Sequence, residues 1–137
     1  MSEPSELTRL VRAWVEKAEH DLKNAEHTLT LGDDCPIDTV CFHAQQCAEK
    51  YLKTLLVLHQ REFPKTHDLG ALARLLPADV LPKVDTDALL TLNRYPIEAR
   101  YPGDWEPMSR QDAEEAVAVA RTLRAVVRAS LPRECLE

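Results

Sequence analysis

PIDTVCFHAQQCAEKYLKTLLVLHQ, residues 36–60, is the stretch whose reading decides the fold. Ile37, Val40, Cys41, Ala44, Ala48, Tyr51, Leu52, Leu55 and Leu58 recur in it at three- and four-residue steps, the spacing that lines one side of an α-helix. Pro36 suits a first helical turn and Phe63-Pro64 breaks the pattern, which predicts a helix from about Pro36 to Gln60. His43, Gln46, Lys50 and Lys53 follow the same spacing and share one flank beside the apolar stripe.

The rest of the chain has the same character. Leu7, Leu10, Val11, Trp14, Ala18, Leu22, Ala25 and Leu29 predict a first helix from about Glu6 to Leu31, stopped by Gly32. Thr66 reads as the cap of a short third helix that buries Leu69, Leu72, Leu75 and Leu76 before Pro77. A fourth starts near Asp85, turns Ala88, Leu89 and Leu92 inward and is disturbed at Pro96; Tyr101 to Pro107 is loop. Ser109 with Asp112 three residues on resembles a capping box, opening a last helix to about Ser130 with Ala113, Ala116, Val117, Ala120, Leu123 and Val127 inside. The tail after Pro132 is expected to fray. Gly is scarce and strand-forming runs are missing, so the expectation is one all-α domain over residues 1–137, its core about 6–130. Four long helices with short connections form an antiparallel up-and-down four-helix bundle with one additional short helix.

Composition narrows the chemistry. A net charge of −6 argues against broad attraction to DNA or RNA, which needs a positive field to release counterions, but leaves room for a local basic pocket. Cys35, Cys41, Cys47 and Cys135 include no C-x-x-C pair, and Cys41 and Cys47 lie within the apolar segment as small core residues, so no metal is expected. Neither a secretory leader pattern nor an apolar run near the ~20 residues of a membrane span is present. The expectation is a cytoplasmic protein with reduced thiols. Walker A and G-x-G-x-x-G loops are missing, no Ser-His-Asp or Cys-His arrangement stands out, and Asp85-Thr86-Asp87 reads as helix capping rather than metal binding.

Three places carry polar information. The flank of His43, Gln46, Lys50 and Lys53 either holds a phosphate or a partner's carboxylate, or satisfies itself within a bundle or across a dimer. Arg94-Tyr95-Pro96 is echoed by Arg100-Tyr101-Pro102: arginine forks fit phosphate oxygens and a tyrosine face stacks on a base, unless the arginines pair with Glu98 or Asp104 and the tyrosines pack. Lys65-Thr66-His67-Asp68 opens the short helix, where free N–H groups attract an anion and Lys65 adds charge, or where Thr66 is a plain cap.

With those residues in view, the chain resembles the HEPN family, named for higher eukaryotes and prokaryotes nucleotide-binding, over nearly its whole length. Trp14…Ala18-Glu19-His20-Asp21-Leu22, Phe42-His43-Ala44-Gln45-Gln46…Ala48-Glu49-Lys50-Tyr51-Leu52-Lys53, Lys65-Thr66-His67-Asp68-Leu69 and Arg100-Tyr101-Pro102 carry the likeness. The resemblance implies a helical bundle that pairs as a homodimer and stands beside a minimal nucleotidyltransferase, as a nucleotide- or substrate-binding partner or half of a toxin–antitoxin pair. Many members are metal-independent ribonucleases with an Arg, four to six residues, then His. No histidine follows Arg94 or Arg100 here; the one literal match, Arg61 to His67, spans the Phe63-Pro64 break, and about one such hit arises by chance in a chain like this.

The reading is therefore of a non-catalytic HEPN protein without cofactor. Lys50, Lys53, Arg94 and Arg100 meet phosphates or acidic groups, Tyr95 or Tyr101 stacks, and His43, Gln46, Lys65 and His67 are secondary contacts. The alternatives are a ribonuclease toxin with a variant site built from Arg94, Arg100 and Tyr101, and a dimerising scaffold without ligand.

Overall fold

The computed structural model describes residues 3–95 and 108–137. Its helices are α1 (Glu6–Leu29), α2 (Ile37–Leu58), α3 (Leu69–Arg74), α4 (Thr86–Thr91) and α5 (Arg110–Ser130), with short 3-10 turns at Gly32–Asp34, Leu92–Arg94 and Arg133–Cys135. The expected all-helical bundle is present. Its long helices among the described residues are α1, α2 and α5; α3 and α4 have six residues each, and the helix begun at Asp85 tightens into the 3-10 turn before Pro96. No helix of the described residues is long and apolar enough to cross a membrane.

α2 is the central element. It packs along both α1 and α5 and carries α3 on a further side. From Val40 to Leu56 every residue except Phe42, His43 and Lys50 is buried, so the helix is enclosed almost all round. Tyr51, Leu52, Leu55 and Leu56 form the middle of the core with Val11, Leu69, Leu72, Leu92, Val117 and Leu123. Pairings of Asp21 with Lys50 and of Trp14 with Lys53 run in opposite directions along α1 and α2, and Glu19–Arg124 with Glu26–Arg121 do the same for α1 and α5. Both partners are thus antiparallel to α1.

Local signals set the helix ends. Ser5 caps α1; Gly32, at φ +65°, takes the left-handed conformation that turns the chain toward α2. Asp85 caps α4 through Asp87 and Ala88 N–H, and Ser109 with Asp112 completes the capping box of α5. α2 ends in a Schellman arrangement, with Arg61 N–H bonded to the Leu56 carbonyl at 2.8 Å and Gln60 N–H to Val57 at 3.0 Å. Its left-handed residue is Gln60, at φ 54°.

Three expectations need correction. Asp68, not Thr66, caps α3, bonding Gly70 and Ala71 N–H, while the Thr66 hydroxyl accepts from Asp68 N–H; the helix therefore opens later than a Thr66 cap would place it. Leu10 and Leu75 are exposed at 47% and 37%, and Val15 takes the inward position on a stripe that runs Val11, Val15, Ala18, Leu22, Ala25. The tail does not fray: the Arg12 guanidinium donates to the Glu134 carbonyl at 2.6 Å, and Leu131 and Cys135 are buried. All four cysteines are free and buried, and desolvation pushes the Cys41 thiol up to about 11.

A left-handed conformation costs a residue with Cβ about 1 kcal/mol that glycine avoids. Gln60→Gly is expected to raise the stability measured by denaturant unfolding, by up to about 1 kcal/mol. A loss of stability would show that Gln60 makes compensating contacts.

Candidate functional site

The polar flank of α2 folds onto two buried carboxylates. Asp21, on the inner side of α1 and 7% exposed, receives both His43 and Lys50, which stand two helical turns apart on one face of α2. His43 Nδ1 is 2.8 Å from Oδ1 and Lys50 Nζ is 2.5 Å from Oδ2. Each carboxylate oxygen therefore has its own partner.

Glu49, 3% exposed, sits at the middle of the second cluster. Lys53 Nζ donates to Oε2 at 3.0 Å, one helical turn on, and His67 Nδ1 is 2.8 Å from Oε1. Gln46 donates to the same Oε1 at 3.3 Å and to the side-chain oxygen Oε1 of Gln45 at 2.8 Å. The Gln45 amide in turn donates to the His67 backbone carbonyl at 3.0 Å, fastening the 59–68 loop to α2. Lys53 is only 8% exposed, with Nζ 5.9 Å from the Trp14 ring centre and 5.7 Å from that of Phe63, rings that meet edge to face. Carboxylate and aromatic faces together replace the water that its ammonium has lost.

A third piece lies next to this loop. Asn93 accepts from Leu69 N–H and donates to Asp68 Oδ1, both at 3.0 Å. That clasp lays the turn carrying Arg94 against the backbone that carries His67. Sequence separation hid this proximity: Leu69 and Asn93 stand 24 residues apart in the chain, yet they are hydrogen-bonded neighbours. Arg94 is 46% exposed, 4.0 Å from Asp112 and 5.7 Å from the Tyr95 ring centre.

The sequence-derived site residues thus divide. His43 and Lys50 gather on Asp21, Gln46, Lys53 and His67 gather on Glu49, and Asn93 ties the Arg94 turn to the backbone beside His67. Lys50 and Lys53 are engaged by Asp21 and Glu49 and stand with side chains 25% and 10% exposed. His43 keeps 24% and His67 49%. Tyr95 is a correction: it is 6% exposed and lies in the interior beside Cys41, where burial first and the neighbouring Cys41 and Asp112 next push its hydroxyl up to about 12. It offers no face for stacking. Lys65 is exposed on the loop, and Arg100 and Tyr101 lie outside the described residues. Asp21, Glu49 and Gln45 are organising groups that the flank pattern alone missed. A charged residue three positions after Ala18 and one before Leu22 falls on the α1 stripe, which was the available signal.

Another set of charges crosses the α1–α5 seam. Arg124 grips Glu19 with both prongs at 2.7–2.9 Å, Arg128 adds a contact at 3.3 Å, and Arg121 pairs with Glu26. Burial works to raise the Glu19 carboxyl, but Arg124, Tyr51 and Arg128 outweigh it and hold it below the ordinary value. This contribution is present at neutral pH and is lost as pH falls through the lowered native value. A groove of about 790 Å³ opens there, lined by Lys23, Glu26, His27, Arg121 and others, with none of the α2 flank residues.

The HEPN domain model matches residues 11–130. The chain belongs to the HEPN family. Among solved structures it is similar to TT1696 from Thermus thermophilus, at 33% identity over 88% of this chain and 98% of that one, with a TM-score of 0.69. It is also similar to ST0689, an archaeal HEPN homologue, at 28% identity over 87% and 95% of the two chains, TM-score 0.61. No curated protein matches.

Removing one member of a buried charge cluster leaves the others unpaired. Asp21→Ala, which strands a quarter-exposed Lys50, is expected to cost about 1–3 kcal/mol in denaturant unfolding after allowance for solvent screening. Asp21→Leu with Lys50→Met should recover most of that loss. Equal instability of the single and double variants would contradict the pairing.

Proposed function

We propose that this HEPN protein is a non-catalytic binding subunit that holds a nucleotide, or the subunit of a minimal nucleotidyltransferase that carries one, as half of a homodimeric toxin–antitoxin-type pair. What supports the reading is the polar flank of α2: His43 and Lys50 gather on Asp21, Lys53 and His67 gather on Glu49, and Asn93 clasps the Arg94 turn beside the His67 backbone. Because Asp21 and Glu49 already engage Lys50 and Lys53, the groups best presented to a ligand are the imidazoles of His43 and His67, with Arg94, itself paired with Asp112, on the neighbouring turn. Phosphate oxygens accept from such donors, and a guanidinium matches them in two-pronged geometry. No histidine follows Arg94 or Arg100, and the one literal Arg-x5-His match, Arg61 to His67, spans the Phe63-Pro64 break, which supports binding over hydrolysis.

One observation favours a second reading, a metal-independent ribonuclease. The Glu49–His67 pair is a carboxylate-oriented imidazole, the arrangement that serves proton transfer in many active sites, and it lies on backbone adjoining the Arg94 turn. RNA incubated with the protein in EDTA separates the two: cleavage abolished by His67→Ala or Arg94→Ala establishes the ribonuclease and removes the binding reading.

Calorimetric titration of the full chain with each of the four ribonucleoside triphosphates is expected to show binding of at least one. Arg94→Ala should weaken it by about tenfold, or 1.4 kcal/mol. Parallel losses of Tm and affinity would reduce Arg94 to a structural residue. Silence with all four nucleotides would remove the nucleotide.

A further inference from the structure

The two nitrogens of a neutral imidazole have opposite hydrogen-bonding character, and the partner of one fixes the role of the other. At His67 the fixed side is Nδ1, 2.8 Å from the Glu49 carboxylate, which is 4% exposed while the ring is 49% exposed. A carboxylate only accepts, so Nδ1 must carry a proton. Neutral His67 then presents a bare Nε2, an acceptor, at its outer edge, and only the protonated ring presents an N–H there. Among the described residues no hydrogen bond occupies that edge.

The surroundings keep this assignment in place. Gln45 holds the His67 carbonyl at 3.0 Å, so the backbone is pinned to α2. Lys53 saturates the other oxygen of Glu49 from beneath, itself enclosed by Trp14 from α1 and by Phe63. Asp68, next in the chain, is committed to the first turn of α3 and to Asn93. Lys65, two residues earlier, is exposed and adds positive charge. With Glu49 balanced by Lys53, a protonated His67 leaves one net positive charge on the cluster, and a neutral one leaves none.

We propose that His67 is the phosphate-contacting residue of this face and acts in its protonated form, with Glu49 the positioning residue that makes the contact conditional on the proton. The proposal rests on the nucleotide-binding reading above. A phosphate oxygen is an acceptor, so neutral His67 in its Glu49-fixed tautomer meets it acceptor to acceptor; the protonated ring donates and adds a charge. Binding therefore requires the proton on Nε2 and weakens as the ring loses it.

Two substitutions separate this from a structural role. His67→Gln, at a half-exposed position, keeps a side-chain donor and loses the titration. Glu49→Gln supplies an amide that donates to Nδ1, which permits the neutral ring to carry its proton on Nε2 and donate outward at high pH.

The experiment is calorimetric titration of the full chain with ATP from about pH 5.5 to about 8.5, the range in which imidazole changes charge, for wild type and both variants. The His67→Gln curve carries the ionisation of ATP itself and serves as the reference. Wild-type affinity is expected to fall about tenfold or more across the range relative to that reference, and the Glu49→Gln affinity to fall less steeply than that of wild type, since its neutral ring still donates. Parallel wild-type and His67→Gln curves would overturn the proposal while nucleotide binding stood. Wild type that binds no ATP at any pH overturns it as well, and the lack of any nucleotide binding takes the broader reading with it. Should Glu49→Gln lose its helical circular dichroism because Lys53 is stranded, the comparison of wild type with His67→Gln decides alone.

Discussion

Two carboxylates buried where α2 meets its neighbours constrain the rest of this structure. Asp21 and Glu49 are 7% and 3% exposed, and an ionised carboxylate at such a site is tolerated only with cations or strong donors on its oxygens. His43 with Lys50, and His67 with Lys53 and Gln46, meet that requirement. The first cluster ties α1 to α2 in one register, because a one-residue slip would carry Asp21 off the face shared by His43 and Lys50. The second ties the 59–68 loop to α2, and Asn93 extends the tie to the Arg94 turn. Apolar packing of Leu52, Leu55, Leu56 and their neighbours supplies most of the stability, but it is tolerant of sliding.

The same clusters decide what the surface offers. Lysines that read from sequence as free phosphate ligands are spent on internal neutralisation, and the imidazoles they share carboxylates with take the outward position. The arginines of α5 are handled differently: Arg121, Arg124 and Arg128 pair with Glu26 and Glu19 across the α1–α5 seam, partly in solvent, where such pairs each contribute little.

Much of this was legible in the amino-acid order, for identifiable reasons. The stripes of α2 and α5 located the core because periodicity is a local property, and the caps at Asp85 and Ser109 were local as well. The α1 stripe was slightly misjudged because Leu10 and Val15 are both apolar and only the partner helix distinguishes them. His43, Gln46, Lys50 and Lys53 were legible as one flank, whereas their partners were not, since Asp21 reaches them across a helix pair and His67 across a loop. Tyr95 illustrates the limit of motif reading: beside Arg94 it resembles a stacking platform, yet it is packed against Cys41. The Arg100-Tyr101-Pro102 element remains a reading of sequence, outside the described residues.

The central claim is that buried anions orient the imidazoles of this face. Long-range proton–nitrogen correlation spectra of the uniformly labelled protein, recorded above the imidazole titration, report directly which ring nitrogen bears hydrogen at each histidine. Protonated Nδ1 and bare Nε2 are expected at both His43 and His67. Hydrogen on Nε2 at either ring, or rapid averaging between the two forms, would contradict that claim.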